Sequence, residues 1–272
     1  MEPMPSMKGI NVNTAADAVI DIQNLHFSYS SLEVLHGISF RVNRGEMVGL
    51  LGPNGAGKST TIKIVAGIHP TGQGKVHIAG YALPEQHLEA KKIIGYLPES
   101  PLMYECLSGM EFLELMGRLQ GLDEKILHTR IRALLETFDL NNVRVPRISG
   151  YSKGMRQKIL LSAALLHDPE VLLLDEPLSG LDVDASILIK DLLMTLSAHG
   201  KTILYSSHVL DVVEKVCHRV IVIDQGNILA DAPLAELKSR TGEKSLEVIF
   251  RQLTHSEDTA PKIARVMEVL QS

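Results

Sequence analysis

The segment 52–60, with the sequence GPNGAGKST, constrains the fold of this chain more than any other stretch. It matches the pattern G-x-x-x-x-G-K-[ST], which is typical of a loop that binds nucleotide phosphates. The apolar run 47–51 predicts a buried strand before it, and residues 60–66 predict a helix that ends at Gly67. This order turns backbone N–H groups and a helix N-terminus toward one anion. We therefore predict a phosphate-binding loop, the alternative being a glycine-rich turn that binds nothing.

The residue types of this loop have separate chemical roles. Glycine has no Cβ, so the backbone can turn tightly and approach phosphate oxygens. Lys58 is expected to place its positive charge on the β- and γ-phosphates, and Ser59 to offer its hydroxyl to Mg²⁺. The predicted nucleotide-binding residues of the loop are Gly52, Pro53, Asn54, Gly55, Ala56, Gly57, Lys58, Ser59 and Thr60.

A second motif, VLLLDEP at 171–177, places two acids after an apolar run. A strand that ends beside the phosphate loop would carry Asp175 and Glu176 to the phosphates. Asp175 is predicted to hold Mg²⁺ through its water shell, because this ion prefers oxygen ligands and keeps several waters. Glu176 is then the group placed to polarise a water for in-line attack on the γ-phosphate. The alternative is a pair of helix-capping acids on a loop.

The rest of the pattern predicts an α/β fold with an insertion. Residues 18–29 and 34–42 alternate between apolar and polar types, which predicts an antiparallel pair of strands. Short apolar runs such as 171–174 and 202–206 predict parallel strands buried on both faces. Between these regions, 99–166 has the periodicity and capping residues of helices alone.

This order predicts a mixed-sheet core with an N-terminal antiparallel β subdomain and an all-helical insertion. The predicted segments are the first part of the nucleotide-binding core at 18–98, a helical subdomain at 99–166, the second part of the core at 167–232, and a C-terminal tail at 233–272. From residue 243 onward we expect the tail to pack on the core as one strand and one helix.

Composition argues against several other classes of protein. A net charge of −5 makes nucleic acid an unsuitable main partner. Cys106 and Cys217 are far apart, which indicates plain thiols in a reducing compartment. The longest apolar runs are too short to span a bilayer, and no signal peptide is evident. No histidines have metal-ligand spacing such as HExxH, so zinc is not indicated. We expect a soluble protein that reaches a membrane only through a partner.

Several further motifs, in order, make residues 18–231 resemble the ATP-binding subunit of an ABC transporter, a P-loop NTPase with a RecA-like core. Residues 151–155, YSKGM, resemble the signature motif of that family, which is LSGGQ in many members. Residues 179–182, SGLD, resemble the loop after the acids. His208 matches the switch histidine, and Tyr29 matches the aromatic residue that stacks on the base. From the strand pattern alone, Tyr29 could equally be a half-buried strand aromatic.

The resemblance implies a shared site between two subunits arranged head to tail. Each ATP would lie between the phosphate loop of one subunit and the signature helix of the other. Ser152, the Gly154 backbone and the helix N-terminus would contact the γ-phosphate. His208 would bridge the γ-phosphate, the water and the Asp182 loop of the opposite subunit. The pair would be a homodimer or a heterodimer with a second ATPase subunit.

Two departures from the family pattern affect the site. Glu99 occupies the position where the family usually has a glutamine that contacts Mg²⁺, and a carboxylate is still a suitable oxygen ligand. The second departure is in the signature motif, where Lys153 replaces a common glycine and Met155 replaces a common glutamine. Lys153 would be either a solvated residue at a helix start or an additional cation near the γ-phosphate.

Both departures resemble a subgroup of single-domain ATPases that pair with separate export permeases. This implies an ATPase on the cytoplasmic face of the cell membrane that powers export of an unknown substrate. The apolar run 101–104 would receive a cytoplasmic helix of the permease, unless it belongs to the core of the insertion. The alternatives are a soluble ABC-type ATPase with an assembly or regulatory role, and a small-molecule phosphotransferase with the same phosphate loop.

Overall fold

Two β-sheets form the frame of the structure. The computed structural model describes residues 18–100, 103–140, 146–243, 245–254, 265–267 and 269–270. The smaller sheet is antiparallel and has the strand order β2-β1-β4-β5. Its strands are β1 (Ala18–Tyr29), β2 (Leu32–Asn43), β4 (Gln73–Ile78) and β5 (Tyr81–Leu83). This sheet confirms the predicted N-terminal antiparallel region.

The larger sheet carries the phosphate-loop strand at its centre. Its strands are β3 (Met47–Leu51), β6 (Ile94–Leu97), β7 (Val171–Asp175), β8 (Thr202–Ser206), β9 (Arg219–Asp224) and β10 (Asn227–Pro233). Their order is β10-β9-β3-β8-β7-β6, and β10 alone in this sheet pairs in an antiparallel manner. Every residue of β3, β7 and β8 is buried, as expected for central strands covered on both faces. The mixed α/β core is therefore confirmed.

Helices cover this sheet and fill the insertion between β6 and β7. They are α1 (Lys58–Val65), α2 (His87–Ile93), α3 (Gly109–Leu119), α4 (Glu124–Thr137), a 3-10 turn (Ile148–Gly150), α5 (Lys153–Leu165), α6 (Val183–Ala198), α7 (Leu210–Val216), α8 (Leu234–Thr241) and α9 (Leu246–Leu253). Across the described ranges, none of these helices is long and apolar enough to cross a membrane.

The helices of the insertion begin at the capping residues that the sequence indicates. Ser108 starts α3 with a reciprocal pair of hydrogen bonds to Glu111. The Asp123 carboxylate accepts hydrogen bonds from the first backbone N–H groups of α4. Ser152 caps α5 by accepting from Met155 N at 3.2 Å. Only helical elements lie between β6 and β7 in the described part of the chain. The boundaries of a separate subdomain at 99–166 remain a prediction.

The C-terminal tail differs from the expectation of one strand and one helix. Residues 246–253 form α9, Thr254 is a turn, and the described residues 265–267 and 269–270 are helical. Ser245 caps α9, and Leu246 and Ile249 bury one helical face against α7 and α8. A spacing of three residues matches the helical period rather than the alternation of a strand. The expected strand is therefore absent from the described tail.

Gly95 on β6 packs directly against the backbone of α5, a helix of the insertion. A Cβ at this position would lie 2.2 Å from the carbonyl oxygen of Ala164 on α5. It would also lie 2.8 Å from side-chain atoms of Leu172 and Pro169. Because the first contact is with backbone, the helix itself would have to move to admit a methyl group.

We expect Gly95→Ala to lower the free energy of unfolding by about 1–3 kcal/mol, as overpacking does in close-packed interiors. Gly150→Ala is the matched control, because a Cβ there meets nothing within 4 Å, and it should change stability by less than about 0.5 kcal/mol. Thermal unfolding followed by circular dichroism measures both variants. Equal midpoints would show that α5 and β6 are not packed as closely as the structure indicates.

Candidate active site

The phosphate loop connects β3 to α1 and is closed by the side chain of Lys58. Its Nζ donates hydrogen bonds to Gly52 O at 2.7 Å and to Pro53 O at 3.0 Å. Ala56 N also donates to Pro53 O, at 3.2 Å. Gly57 is the N-cap of α1 in a left-handed conformation, with φ 108°. The loop therefore curls around the end of its own lysine.

Two glycines of the loop are required by neighbouring strands as well as by the turn. A Cβ on Gly52 would lie 2.2 Å from Ile223 O on β9. A Cβ on Gly57 would lie 2.6 Å from Leu35 Cδ2 on β2. A Cβ on Gly55 meets nothing within 4 Å, although its φ of 81° favours glycine. Close approach to phosphate thus explains only part of the glycine pattern.

Asp175 and Glu176 lie at the end of β7 and are held by two serines, the last residue of β8 and the residue after it. Ser206 Oγ donates to Asp175 Oδ1 at 2.8 Å, and this aspartate is 1% exposed. Ser207 Oγ donates to Glu176 Oε2 at 3.2 Å. Glu176 adopts φ 52°, and its backbone N–H donates to Ser206 O at 3.0 Å. The paired parallel strands therefore fix both carboxylates.

His208 contacts Glu176 twice. Its backbone N–H donates to Glu176 Oε1 at 2.7 Å, and its ring Nδ1 lies 2.7 Å from the same oxygen. The histidine side chain is 66% exposed, whereas that of Glu176 is 10% exposed. The predicted base and the predicted switch histidine are therefore neighbours in one subunit, and the ring faces solvent.

The electrostatics bring Lys58 and three carboxylates into one site. Burial lowers the pKa of Lys58, because it disfavours the charged form, and the negative charges of Glu176, Asp175 and Glu99 act in the opposite direction. Burial, together with Asp175 and Glu99, raises the pKa of Tyr96 to about 12. Glu99 is exposed at the rim, as its position after β6 predicts.

The oxygen donors present fit Mg²⁺ bound together with a nucleotide. Ser59 lies in the first turn of α1, and Asp175 and Glu99 both act on Lys58. No group of three or more His, Cys, Asp or Glu residues is arranged as a metal cage in the described ranges. Mg²⁺ typically takes one or two carboxylates and completes its shell with phosphates and water. The donor set therefore suits a metal that is held partly by substrate.

Tyr29 is the last residue of β1 and lies beside the first turn of α1. Its hydroxyl is 3.5 Å from Thr60 Oγ1 and 2.9 Å from His69 Nε2. The residue is 42% exposed. The structure therefore brings Tyr29 to the rim of the phosphate loop, and its base-stacking role remains a prediction.

The signature residues form a second group, around the loop that precedes α6. Ser152 is exposed, and its hydroxyl bonds within its own helix. A Cβ on Gly154 would lie 2.9 Å from Gly180 O. Lys153 Nζ donates to Ser179 Oγ at 2.8 Å, and Asp182 caps α6 through Ala185 N. Lys153 is thus an exposed residue with a partner in its own chain.

Three residues that support the acids are absent from the predicted site. They are Ser206, Ser207 and Gln157. Gln157 on α5 is 4% exposed, and its Nε2 donates to the backbone carbonyls of Glu176 (3.3 Å) and Pro177 (3.0 Å). The available signals were two consecutive serines at the end of the strand that precedes His208, and an amide on the apolar face of α5.

Comparisons with known proteins agree with this geometry. Residues 35–179 match the family model described as ABC transporter. An uncharacterised ABC transporter ATP-binding protein of Nostoc sp. is 41% identical over 205 residues, which cover 75% of this chain and 61% of that protein. The chain thus spans about three fifths of that relative.

Two further matches cover a larger share of the matched protein. The Nod factor export ATP-binding protein I of Burkholderia lata is 36% identical over 232 residues, covering 85% of this chain and 76% of that protein. A solved structure, an ATP-binding subunit of an ABC transporter, is 33% identical with a TM-score of 0.82 and covers 86% of this chain and 99% of its own.

We expect Lys58→Ala to weaken ATP binding at least about tenfold and to abolish hydrolysis, because a charge-assisted contact to phosphate is lost. Lys63→Ala removes the same charge from the last turn of the same helix and is the matched control. Calorimetric titration and phosphate release measure the two effects. If Lys58→Ala hydrolysed ATP at the wild-type rate, the loop would not be the phosphate-binding site.

We expect Glu99→Gln to retain substantial ATPase activity, because an amide oxygen still coordinates a cation. Glu99→Ala should lose more activity and should need a higher Mg²⁺ concentration for half-maximal rate. A Mg²⁺ titration of the ATPase rate compares the three proteins. If Glu99→Ala matched the wild type at every Mg²⁺ concentration, Glu99 would not be a ligand.

Proposed function

The chain belongs to the ABC transporter family as one of its ATP-binding, ATP-hydrolysing subunits, and we propose that it powers export through a separate membrane permease. The observation that carries its chemistry is the position of Glu176. The carboxylate is held by Ser207 and by His208, and its negative charge acts on the ammonium group of Lys58. This position supports a role for Glu176 as the general base in in-line hydrolysis of a γ-phosphate.

In the proposed reaction, a water attacks the γ-phosphorus while Glu176 accepts its proton. The bond between the γ-phosphorus and the bridging oxygen breaks, and ADP leaves with the electron pair. Lys58 and the N-terminal N–H groups of α1 offset the negative charge of the phosphates. Ser59, Asp175 and Glu99 would hold Mg²⁺, which supplies further charge neutralisation. Ser207 and His208 N keep both Glu176 oxygens in place.

The exposed start of α5 supports a site shared between two subunits. Ser152, the helix N-terminus and the adjacent loop with Asp182 are held together in one subunit. The hydrogen bonds of Ser152 lie within its own helix rather than with the phosphate loop. We propose that Ser152, the Gly154 backbone and the N-terminus of α5 contact the γ-phosphate bound by the other subunit, in a homodimer or a heterodimer.

Export as the direction of transport rests on the relatives. The Burkholderia lata relative is named for Nod factor export. The predicted permease-docking run 101–104 begins with Pro101 and Leu102, which lie outside the described residues; of the remainder, Met103 is partly buried and Tyr104 is exposed. Co-purification with a multispanning protein from detergent-solubilised membranes would support the proposal, and recovery from the cytosol alone would favour a soluble ABC-type ATPase.

We expect Glu176→Gln to bind ATP without hydrolysing it, because the amide is nearly isosteric but cannot accept the proton. Mg-free ATP should then hold two copies together. Adding Ser152→Glu should leave a monomer that still binds ATP, since a carboxylate against the γ-phosphate repels it at close range. Light scattering after size exclusion measures the mass of each species.

The matched control for this test is Glu176→Gln with Thr129→Glu, which adds the same charge on the exposed face of α4. This control should dimerise like Glu176→Gln alone. A dimer that survives Ser152→Glu would contradict the shared site, while loss of the dimer in both double variants would show that added charge alone prevents association.

A further inference from the structure

Three aromatic rings pack together beside the phosphate loop. Phe27 and Tyr29 lie on β1, and His69 follows α1. The ring of His69 stacks on Phe27 with centroids 5.6 Å apart and an interplanar angle of 21°. Tyr29 meets both rings edge-on, with centroid distances of 5.0 Å to Phe27 and 5.4 Å to His69. Such a cluster is notable in a chain with 4% aromatic residues and no tryptophan.

The two sides of this cluster are not equally constrained. Tyr29 ends β1 and is followed by Ser30 at φ 53°, so its backbone lies at a hairpin tip. His69 is tied to the end of α1, because its backbone N–H donates to Lys63 O at 3.2 Å. The stronger of the two contacts of the Tyr29 hydroxyl is to His69 Nε2, at 2.9 Å, against 3.5 Å to Thr60 Oγ1. His69 is therefore anchored to the end of α1 and offers the Tyr29 hydroxyl a hydrogen-bond partner.

We propose that His69 is a positioning residue for nucleobase binding, because its ring and its hydrogen bond hold Tyr29 in the orientation that presents its face to the base. This inference rests on the proposed nucleotide site and goes beyond it, since His69 would contribute to recognition of the base and not of the phosphates. The chemical class it selects for is a planar heteroaromatic group joined to a triphosphate.

The surroundings of His69 keep its ring suited to this role. Burial, with a smaller contribution from the nearby positive charge of Lys63, lowers the pKa of His69. A neutral imidazole has one nitrogen that accepts a hydrogen bond, so Nε2 can accept from the Tyr29 hydroxyl. An aromatic ring held before the ligand arrives loses less freedom on binding, which increases affinity.

The experiment compares ATP with inorganic tripolyphosphate, which has no base, by calorimetric titration. We expect His69→Ala to weaken ATP binding about three- to tenfold, the typical effect of one lost hydrogen bond. His69→Gln, which can still bond the hydroxyl, should restore much of this affinity. Tripolyphosphate affinity should be unchanged in both variants, and KM for ATP should rise while kcat stays constant.

Tyr29→Phe provides a second route to the same contact, because it removes the hydroxyl and keeps the ring. Its loss of ATP affinity should match that of His69→Ala, and the double variant should lose no more than either one, as two partners of one interaction do. His128→Ala, on the exposed surface of α4, is the control that should bind ATP like the wild type.

Each other outcome overturns the inference. Unchanged ATP affinity in His69→Ala would mean that the ring of Tyr29 needs no support. Equal weakening of ATP and tripolyphosphate would mean that His69 acts by stabilising the phosphate loop. If the wild type bound tripolyphosphate as tightly as ATP, the base would add no affinity and Tyr29 would not bind it. If the wild type bound neither ligand, the proposed nucleotide site itself would be refuted.

Discussion

The site depends on the interaction of the Lys58 ammonium group with the oxygen atoms around it. One buried ammonium group is balanced by two loop carbonyls and by the carboxylates of Glu176, Asp175 and Glu99. Three carboxylates against one ammonium leave an excess of negative charge where a triphosphate must bind. In the proposed site, neutral donors with aligned dipoles and a divalent cation carried in with the substrate would offset this charge. The loop at the start of α1 would provide these donors, and the oxygen atoms around Asp175 would hold the cation.

Helix α5 connects the two groups of functional residues. Its first residues follow Ser152, which faces outward, and Gln157 on the same helix donates to the carbonyls of Glu176 and Pro177. The outer end of α5 is thus available to a second subunit, while its buried side fixes the backbone of Glu176, the proposed base, in its own subunit. The contact between Gly154 and Gly180 joins the same helix to the loop before α6.

The sequence was informative wherever local chemistry determines structure. The capping residues Ser108, Asp123 and Ser152 predicted where α3, α4 and α5 begin, because a side-chain oxygen there satisfies free backbone donors. The short apolar runs predicted the buried strands, because a central strand covered on both faces is apolar at every position. The motif residues Lys58, Asp175 and Glu176 were predicted as a group, and the structure brings them together.

What the sequence did not predict depends on distant contacts. Ser206 and Gln157 become supports of the acids only when β8 and α5 are packed against β7. The ring of His69 meets Tyr29 across 40 positions of chain, and neither residue has a local pattern that indicates the other. After residue 243, where the sequence analysis expected a strand and a helix, the structure has α9, which packs against α7 and α8.

The pairing of β3 determines when the larger sheet can form during synthesis of the chain. Its neighbours are β8 and β9, so a ribosome-bound chain that ends before residue 202 has neither of them. The turn after β9 adds a later requirement, because Gly226 donates to Ala56 O in the phosphate loop and accepts from His36 N. Contacts of such long sequence separation form late. A nascent chain therefore carries its nucleotide motif long before it has a nucleotide site, and no short fragment around the motif contains one.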